Sequence, residues 1–485
     1  MSLKKKFAEY ILWLLLLLPL VLVYIESTAD WGDDFAIYIE EAQHIIQHRP
    51  FYLTHFKFFD YNNHYAPPYY TVGYPVLLAP VLSWVGLDMR LLNLYMSCWV
   101  LCWGLLTIYF VRRYYSIAVV AFFMIAYFLN PYFFECKGRV LSDVPFSFFF
   151  LLTIVGYTAH RQGIYRWIGI GLCMAIAISI RTIGVVLAVG IGIDVMRSMI
   201  YQSPTATWRD RLYPLGVIYS SALALLLLVY LLFPAPPSTY YIQQFGTVSG
   251  ATIIANMKTY PLLLFNFFAT TEQHPYGTFF FAWFMLIVFG IGMIGNSKPP
   301  KKFLQGLLIS FMIVLFIFPD TQGFRYLLPI VPVLLYMSMN AISSIYLPAS
   351  IRSWIAGTLV IAVLFLYTPA IALMVSHRNR VCTYGPFTQT SQHGFETLKK
   401  LLPDTALVAC VSPRVVALLS SHYCCILPEG TTAQQLRLFP LSHPTYLLAI
   451  LERDCEKIDA IAIAHADSMI WQQDGFRLYR CKPWK

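Results

Sequence analysis

Charge is what this sequence has least of. Of 485 residues only 12% are charged, against 58% hydrophobic and 16% aromatic, and the mean hydropathy is +0.62. A soluble chain carries roughly 25% charged residues and about 45–50% apolar ones. Half the usual charge cannot coat a water-soluble protein of this length, so one large soluble enzyme is excluded. The same composition excludes the disordered, collagen-like and disulfide-miniprotein classes. No Gly-rich phosphate loop occurs after residue 376, and no cysteine spacing reads as a zinc site. What remains is a polytopic membrane protein. Its net charge of +10 would point to nucleic acid in a soluble chain, but here placement decides the meaning.

A helix needs about 20 mainly apolar residues to cross the hydrocarbon, and about eleven stretches qualify. They fall near 8–25, 90–111, 116–133, 143–160, 165–180, 182–199, 214–233, 277–295, 303–319, 326–346 and 353–375. The first follows Lys4, Lys5 and Lys6, as a signal peptide would, but no small-x-small cleavage site comes after it, and it reads as a retained anchor. With these spans, Lys4–Lys6, Arg112/Arg113, Arg161/Arg166, Arg197/Arg209/Arg211, Lys298/Lys301/Lys302 and Arg352 all fall on one side. The positive-inside rule makes that side cytoplasmic. The N-terminus is then cytoplasmic, the C-terminus is outside, and the net charge reports orientation rather than an anionic partner.

Three outer regions are too long to be plain connectors: 26–89, 234–276 and the tail 377–485. Residues 35–48 have apolar positions at helical spacing opposite acids and histidines, which predicts an interfacial amphipathic helix. Residues 73–86 predict a second surface or re-entrant helix. The tail predicts a small α/β domain, with strands at 406–411, 424–427, 445–450 and 476–481 and a short helix over 413–421. The expected domain boundary lies at 376/377, with both large loops belonging to the membrane part. Cys382, Cys410, Cys424, Cys425, Cys455 and Cys481 lie in the tail, where an outer compartment would permit disulfides of unreadable pairing. Cys410 and Cys424 fit a strand core equally well. Cys98, Cys102 and Cys173 lie in spans and read as small packing residues.

Acids and arginines recur at the outer ends of the spans. Asp33 and Asp34 follow the first span in ADWGDDFAIYIEEA. Taken alone they read as helix-start acids favoured by the dipole. Asp143 stands at the mouth of another span in FFECKGRVLSDVPFSFFF, with Lys137 and Arg139 just upstream, and N-capping is again the plain alternative. Arg181 lies in a turn between two spans, and Arg325 precedes a late span in GFRYLLPIVP. An arginine at membrane depth costs about 2.5–3.5 kcal/mol, so it should pair with an acid or bind an anion. Acids and arginines gathered on one face fit sugar transfer from a lipid-linked phosphate. That reaction needs a carboxylate for the acceptor proton and cationic donors for the phosphate.

The motifs resemble those of the GT-C glycosyltransferases, in the bacterial branch similar to dolichyl-phosphate-mannose:protein mannosyltransferases and aminoarabinose transferases. WGDDFAIYIEEA resembles the acidic pair after the first span, with Asp34 where Glu is common. NNHYAPPYYTVGYPVLLAPVL resembles the Pro- and Tyr-rich end of the first loop. LNPYFFECKGRVLSDVPFSFFFLL resembles the second acidic element, and GFRYLLPIVPVLLY the late Arg-Tyr-Leu-Leu-Pro element. The likeness spans roughly residues 10–350 and implies about eleven transmembrane helices. It implies Asp33 as general base or acceptor-orienting carboxylate, with Asp34 and Asp143 assisting it or organising the site. Lys137, Arg139, Arg181 and Arg325 become expected contacts for the lipid phosphate, and His64, Tyr65, Tyr74 and Tyr326 expected substrate contacts. The implied enzyme is an inverting glycosyltransferase of a bacterial cytoplasmic membrane. It would take a polyprenyl-phosphate-linked sugar, pass it to a glycan, glycolipid or protein hydroxyl, and leave the tail extracytoplasmic.

A carrier or flippase for lipid-linked sugars is the reading from another class, although no inverted repeat and no mid-membrane polar cluster is visible. A glycan polymerase or ligase shares the chemistry. His44 and His48, with Glu41 upstream, have a spacing that could bind metal, but an interfacial polar face is the simpler reading. The acids could hold Mg²⁺ or Mn²⁺, which phosphate held by arginines does not require. Most aromatics read as lipid-facing or interfacial, while Tyr65, Tyr69, Tyr70 and Tyr74 lie where a sugar could stack.

Overall fold

The computed structural model describes residues 3–22, 25, 27–32, 34–59, 67–137, 139–159, 163–201, 208–237, 240–269, 275–294, 300–319, 321, 323–344, 348–377, 385–428, 432–451 and 455–483. The chain forms two compact units. One comprises Met1–Ile25, Asn93–Leu232 and Val248–Arg380; the other comprises Glu26–Leu92, Phe233–Thr247 and Val381–Lys485. This division follows contacts rather than chain order, since loop segments that the sequence places among the spans cluster with the tail.

The first unit is helical, and the protein is a multi-pass membrane protein. Each expected span falls on helix, the first as Leu3–Leu17 and Pro19–Leu22, interrupted where Pro19 cannot donate a backbone bond. Among the described residues, six helices are long and apolar enough to cross a membrane: Met89–Val111, Thr182–Ile200, Leu212–Leu232, Tyr276–Ile294, Gly323–Ser344 and Ser353–Leu373. Others, including Ile117–Phe128, Asp143–Tyr157 and Ile164–Ile180, are apolar but shorter. The first span is tied inward: Trp13, Leu17 and Leu20 are buried, and the Glu9 carboxylate accepts from Arg112.

One helix of this unit is not visible as a span in the sequence. Gly250–Phe268 lies inside the stretch read as a large loop, because Asn256, Lys258 and Pro261 dilute its apolar run. Its start is a capping box between Ser249 and Thr252. Buried Asn256 donates to the carbonyls of Phe316 at 3.0 Å and Phe318 at 2.7 Å, where the helix Lys301–Phe316 ends. Asn130 does the same for Phe267 at 2.7 Å. The last carbonyls of a helix have no partner within it, and hydrocarbon offers none, so buried amides at these places are what the backbone requires.

The second unit is built on a five-stranded sheet of order β2-β1-β3-β5-β4, formed by β1 Leu407–Cys410, β2 Tyr423–Ile426, β3 Tyr446–Ile450, β4 Ala466–Gln473 and β5 Phe476–Cys481. β1 runs parallel to β2 and β3, and β5 is antiparallel to β3 and β4. The four expected strands and the helix Pro413–Ser420 are present. β4 was not expected: it is largely exposed and polar, without the alternation that marks a strand. It is made by the Asp474-Gly475 turn, whose φ values of 55° and 80° suit a tight hairpin to β5. Cys410, Cys424, Cys425 and Cys481 are buried free thiols, so the disulfide alternative is corrected for these four; Cys382 and the Cys455 side chain lie outside the described residues. Burial pushes the Cys481 thiol up to about 12.

The first loop belongs to this sheet. Its residue Phe56 bridges Cys424 in parallel, with Cys424 N–H donating to His55 O at 2.9 Å and Lys57 N–H to Cys424 O at 2.7 Å. β2 would otherwise be an edge, and an uncovered edge invites foreign pairing. The amphipathic helix expected at 35–48 is observed as Asp34–Ile46, and Gly73–Val85 packs against it. Trp31, just upstream, is 1% exposed among Phe395 and Phe476, and its carbonyl accepts from Ser412 at 3.0 Å.

Candidate functional site

In the membrane unit the chemistry centres on Asp143, 3% exposed in the first turn of the helix Asp143–Tyr157. The capping alternative fails for its side chain. Its Oδ1 accepts from Arg181 Nη1, and its Oδ2 accepts from Arg325 Nη2 at 3.1 Å and Nε at 3.4 Å. Each carboxylate oxygen thus holds a different guanidinium. Arg139 lines the same pocket, of about 140 Å³, with Tyr132, Leu141, Asp143, Val144, Arg325 and Leu328.

Local backbone breaks deliver the two arginines. Arg181 ends the helix Ile164–Ile180 in extended conformation, ahead of the short 3₁₀ turn Thr182–Gly184. A Cβ on Gly184 would lie 2.9 Å from the Ile178 nitrogen, so only glycine lets this turn fold back on the helix end. Arg325 and Tyr326 ride on the 3₁₀ segment Gly323–Ile330, which starts from Gly323 at φ +67° and leads into the helix Val331–Ser344. The Arg181 guanidinium sits 5.2 Å from the Tyr326 ring centroid, a cation–π contact.

One carboxylate is shared by two guanidiniums, and Arg139 stands at the same pocket. A buried pair broken by removing one partner costs about 3–5 kcal/mol, so Asp143 is what lets two arginines stand together in a low-dielectric place.

The loop-and-tail unit holds the second group. Asp34 Oδ1 accepts from Tyr70 Oη at 2.7 Å and lies 3.6 Å from Arg414 Nη1. Arg414 is fully buried; it donates to Tyr70 Oη at 3.4 Å and to the Pro67 carbonyl, and it covers the Phe56 and Tyr70 rings. Tyr70 N–H donates to Glu41 Oε1 at 2.9 Å. Burial holds the Glu41 carboxyl well above the usual carboxylate range, against the pull of the Tyr70 amide and Arg414. Burial, then the neighbouring Asp34 charge, raises the Tyr70 phenol. Tyr70 is therefore a fixed donor that orients Asp34.

No protein-family model matches the chain, and no curated protein matches it. Solved structures do. The chain is similar to ArnT from Cupriavidus metallidurans bound to undecaprenyl phosphate, at TM-score 0.63 and 12% identity, over 97% of this chain and 98% of that one. It is similar to an oligosaccharyltransferase from Archaeoglobus fulgidus in complex with zinc and sulfate, at TM-score 0.61 and 12% identity, over 97% and 73%. A third similar structure is the arabinofuranosyltransferase AftD from Mycobacteria, at TM-score 0.55 and 12% identity, over 99% and 40%. The chain has the GT-C fold.

Within this GT-C chain the expected residues fall unevenly. Asp143, Arg139, Arg181, Arg325 and Tyr326 come together. Lys137 ends the helix Pro131–Lys137, but its side chain is outside the described residues, as are Asp33, His64 and Tyr65 altogether. Asp34 is described and engaged. Tyr74 is fully buried, edge-on to Tyr38 with ring centroids 4.8 Å apart, and packs as core. Tyr132 and Arg414 were missed. A signal existed for Arg414: SPRVVALLS puts a lone cation in a short apolar helix after a strand, where it must find a buried acceptor.

Proposed function

We propose that the protein is an integral membrane glycosyltransferase that takes a sugar from a polyprenyl-phosphate-linked donor and passes it to an acceptor hydroxyl. The observation that carries the reading is the Asp143 carboxylate shared by Arg181 and Arg325, with Arg139 at the same pocket. The GT-C fold, and similarity to ArnT bound to undecaprenyl phosphate, support it.

In the proposed reaction the acceptor oxygen attacks the anomeric carbon and the bond from that carbon to the phosphate oxygen breaks. The acceptor proton passes to a carboxylate, and polyprenyl phosphate departs. One displacement inverts the anomeric centre. The leaving phosphodiester gains negative charge as it becomes a monoester, so guanidiniums at its oxygens bind the transition state more tightly than the donor. We assign this role to Arg139, Arg181 and Arg325, with Lys137 nearby in sequence. Asp34 is already engaged by Tyr70 and Arg414, so we assign it an organising role and Asp33 the proton-accepting one. Asp143 organises the arginines. The placement of basic residues supports a cytoplasmic N-terminus and an extracytoplasmic tail in a bacterial cytoplasmic membrane. The acceptor class is a glycan, a glycolipid or a protein.

The test is mass spectrometry of surface glycans, glycolipids and glycoproteins in a strain lacking the protein. Complementation by wild type should restore one missing sugar, and complementation by Asp33→Asn or Asp143→Asn should not. Full restoration by Asp33→Asn, Asp34→Asn and Asp143→Asn alike would overturn the catalytic assignment. Movement of lipid-linked sugar across proteoliposomes without any transfer would favour a carrier.

A further inference from the structure

On the helix Asp34–Ile46, Glu40 and His44 stand one turn apart on one face, 3% and 6% exposed. The following turn brings His55 back to them. Each of the three offers a ligand atom, and these atoms lie within 4.8 Å of one another. Glu40 Oε1 accepts from His55 N–H at 2.7 Å and lies 2.6 Å from His55 Nδ1. Glu40 Oε2 is buried and has no hydrogen-bond partner among the described residues. An unsatisfied buried carboxylate oxygen costs more than a neutral one, and a cation would remove that cost. His44 Nδ1 lies 3.3 Å from the Pro50 carbonyl. That bond fixes the Nδ1–H tautomer and leaves Nε2 with its lone pair, the arrangement that metal-binding histidines use.

We propose that Glu40, His44 and His55 form a site for a borderline divalent metal of the zinc class. Two imidazoles and one carboxylate suit Zn²⁺ or Co²⁺; Mg²⁺ and Ca²⁺ prefer an all-oxygen shell. With three protein ligands, a fourth position remains for water, reached on the side where His55 is about one-third exposed. The metal would clamp residues 50–56 onto the helix, and so would hold the segment that bridges β2. The sequence hinted at a different set. His48 lies beyond the helix end in left-handed conformation, with φ of 56°, and does not join His44. This proposal is independent of the glycosyl-transfer reading.

The test uses the full-length protein in detergent or nanodiscs, without a polyhistidine tag, stripped with chelator and titrated with Co²⁺. One Co²⁺ should bind per chain with the intense visible bands of a four-coordinate site, and Zn²⁺ should displace it. His44→Ala and His55→Ala should each weaken binding by about tenfold or more, while His48→Asn should bind as wild type. So that a folding defect in the first two variants cannot decide the outcome, zinc-edge X-ray absorption on the wild type provides a second reading, with scattering from two imidazoles. No binding to wild type, binding unchanged in both histidine variants, or a metal without imidazole neighbours would each overturn the proposal.

Discussion

Asp143 holds two guanidiniums on one carboxylate, and that sharing makes residue-level predictions sharp. Asp143→Asn removes the carboxylate charge that Arg181 and Arg325 share. We expect transfer to fall by about 10²-fold or more, the scale of losing a preorganised electrostatic group. Affinity for undecaprenyl phosphate should persist, because the pocket becomes more positive. Loss of lipid-phosphate affinity in a folded Asp143→Asn protein would contradict this division of roles. Glu41 makes a separate prediction about pH. Burial raises its carboxyl, so the folded protein keeps a proton that the unfolded chain releases in the ordinary carboxylate range. The stability linked to it is fully present below the unfolded value and is lost as pH rises through the folded one. Glu41→Gln keeps an acceptor for the Tyr70 amide and removes the titration. Thermal melts should show the variant gaining on wild type at pH 8 and not at pH 4; an equal effect at both pH values would refute the argument.

Elements aim the arginines. Arg181 sits where a helix stops, and the stop depends on Gly184, whose added Cβ would press on Ile178 and Ala177 backbone. Gly184→Ala changes no charge, yet it should weaken undecaprenyl phosphate binding by about tenfold, since a 3₁₀ turn forced outward carries Arg181 with it. Unchanged affinity would mean that the turn does not position the arginine. The same features explain what could be read in advance. Apolar runs located the expected spans because their length is dictated by the bilayer. The motif residues Asp143, Arg181 and Arg325 were legible because an ionic side chain beside hydrocarbon needs a partner. What could not be read were elements whose stability comes from elsewhere: Gly250–Phe268, held by its cap and by Asn256, and β4, defined by a hairpin turn rather than by its own alternation.

At the scale of the whole molecule, the tail completes the first loop. Arg414 reaches Asp34, Tyr70 and Pro67, Phe395 and Phe476 enclose Trp31, and β2 pairs with residues 55–57. The sequence could not show this, because Arg414 and Asp34 are far apart in the chain and neither carries a pattern that names the other. Removing residues 381–485 should leave the membrane helices inserted while amide exchange in 34–59 accelerates by about tenfold or more. Unchanged protection there would contradict a structural role for the tail. Arg414→Ala should destabilise the same segment by about 3–5 kcal/mol, the cost of breaking a buried pair, read as a lower melting temperature. The central claim is that the arginines around Asp143 receive the phosphate of a polyprenyl carrier. Its most direct test is equilibrium binding of undecaprenyl phosphate to the purified full-length protein, comparing wild type with the double variant Arg181→Ala and Arg325→Ala. The account predicts saturable binding to wild type and a loss of at least about tenfold in a double variant that remains folded. Equal binding by both proteins would contradict it.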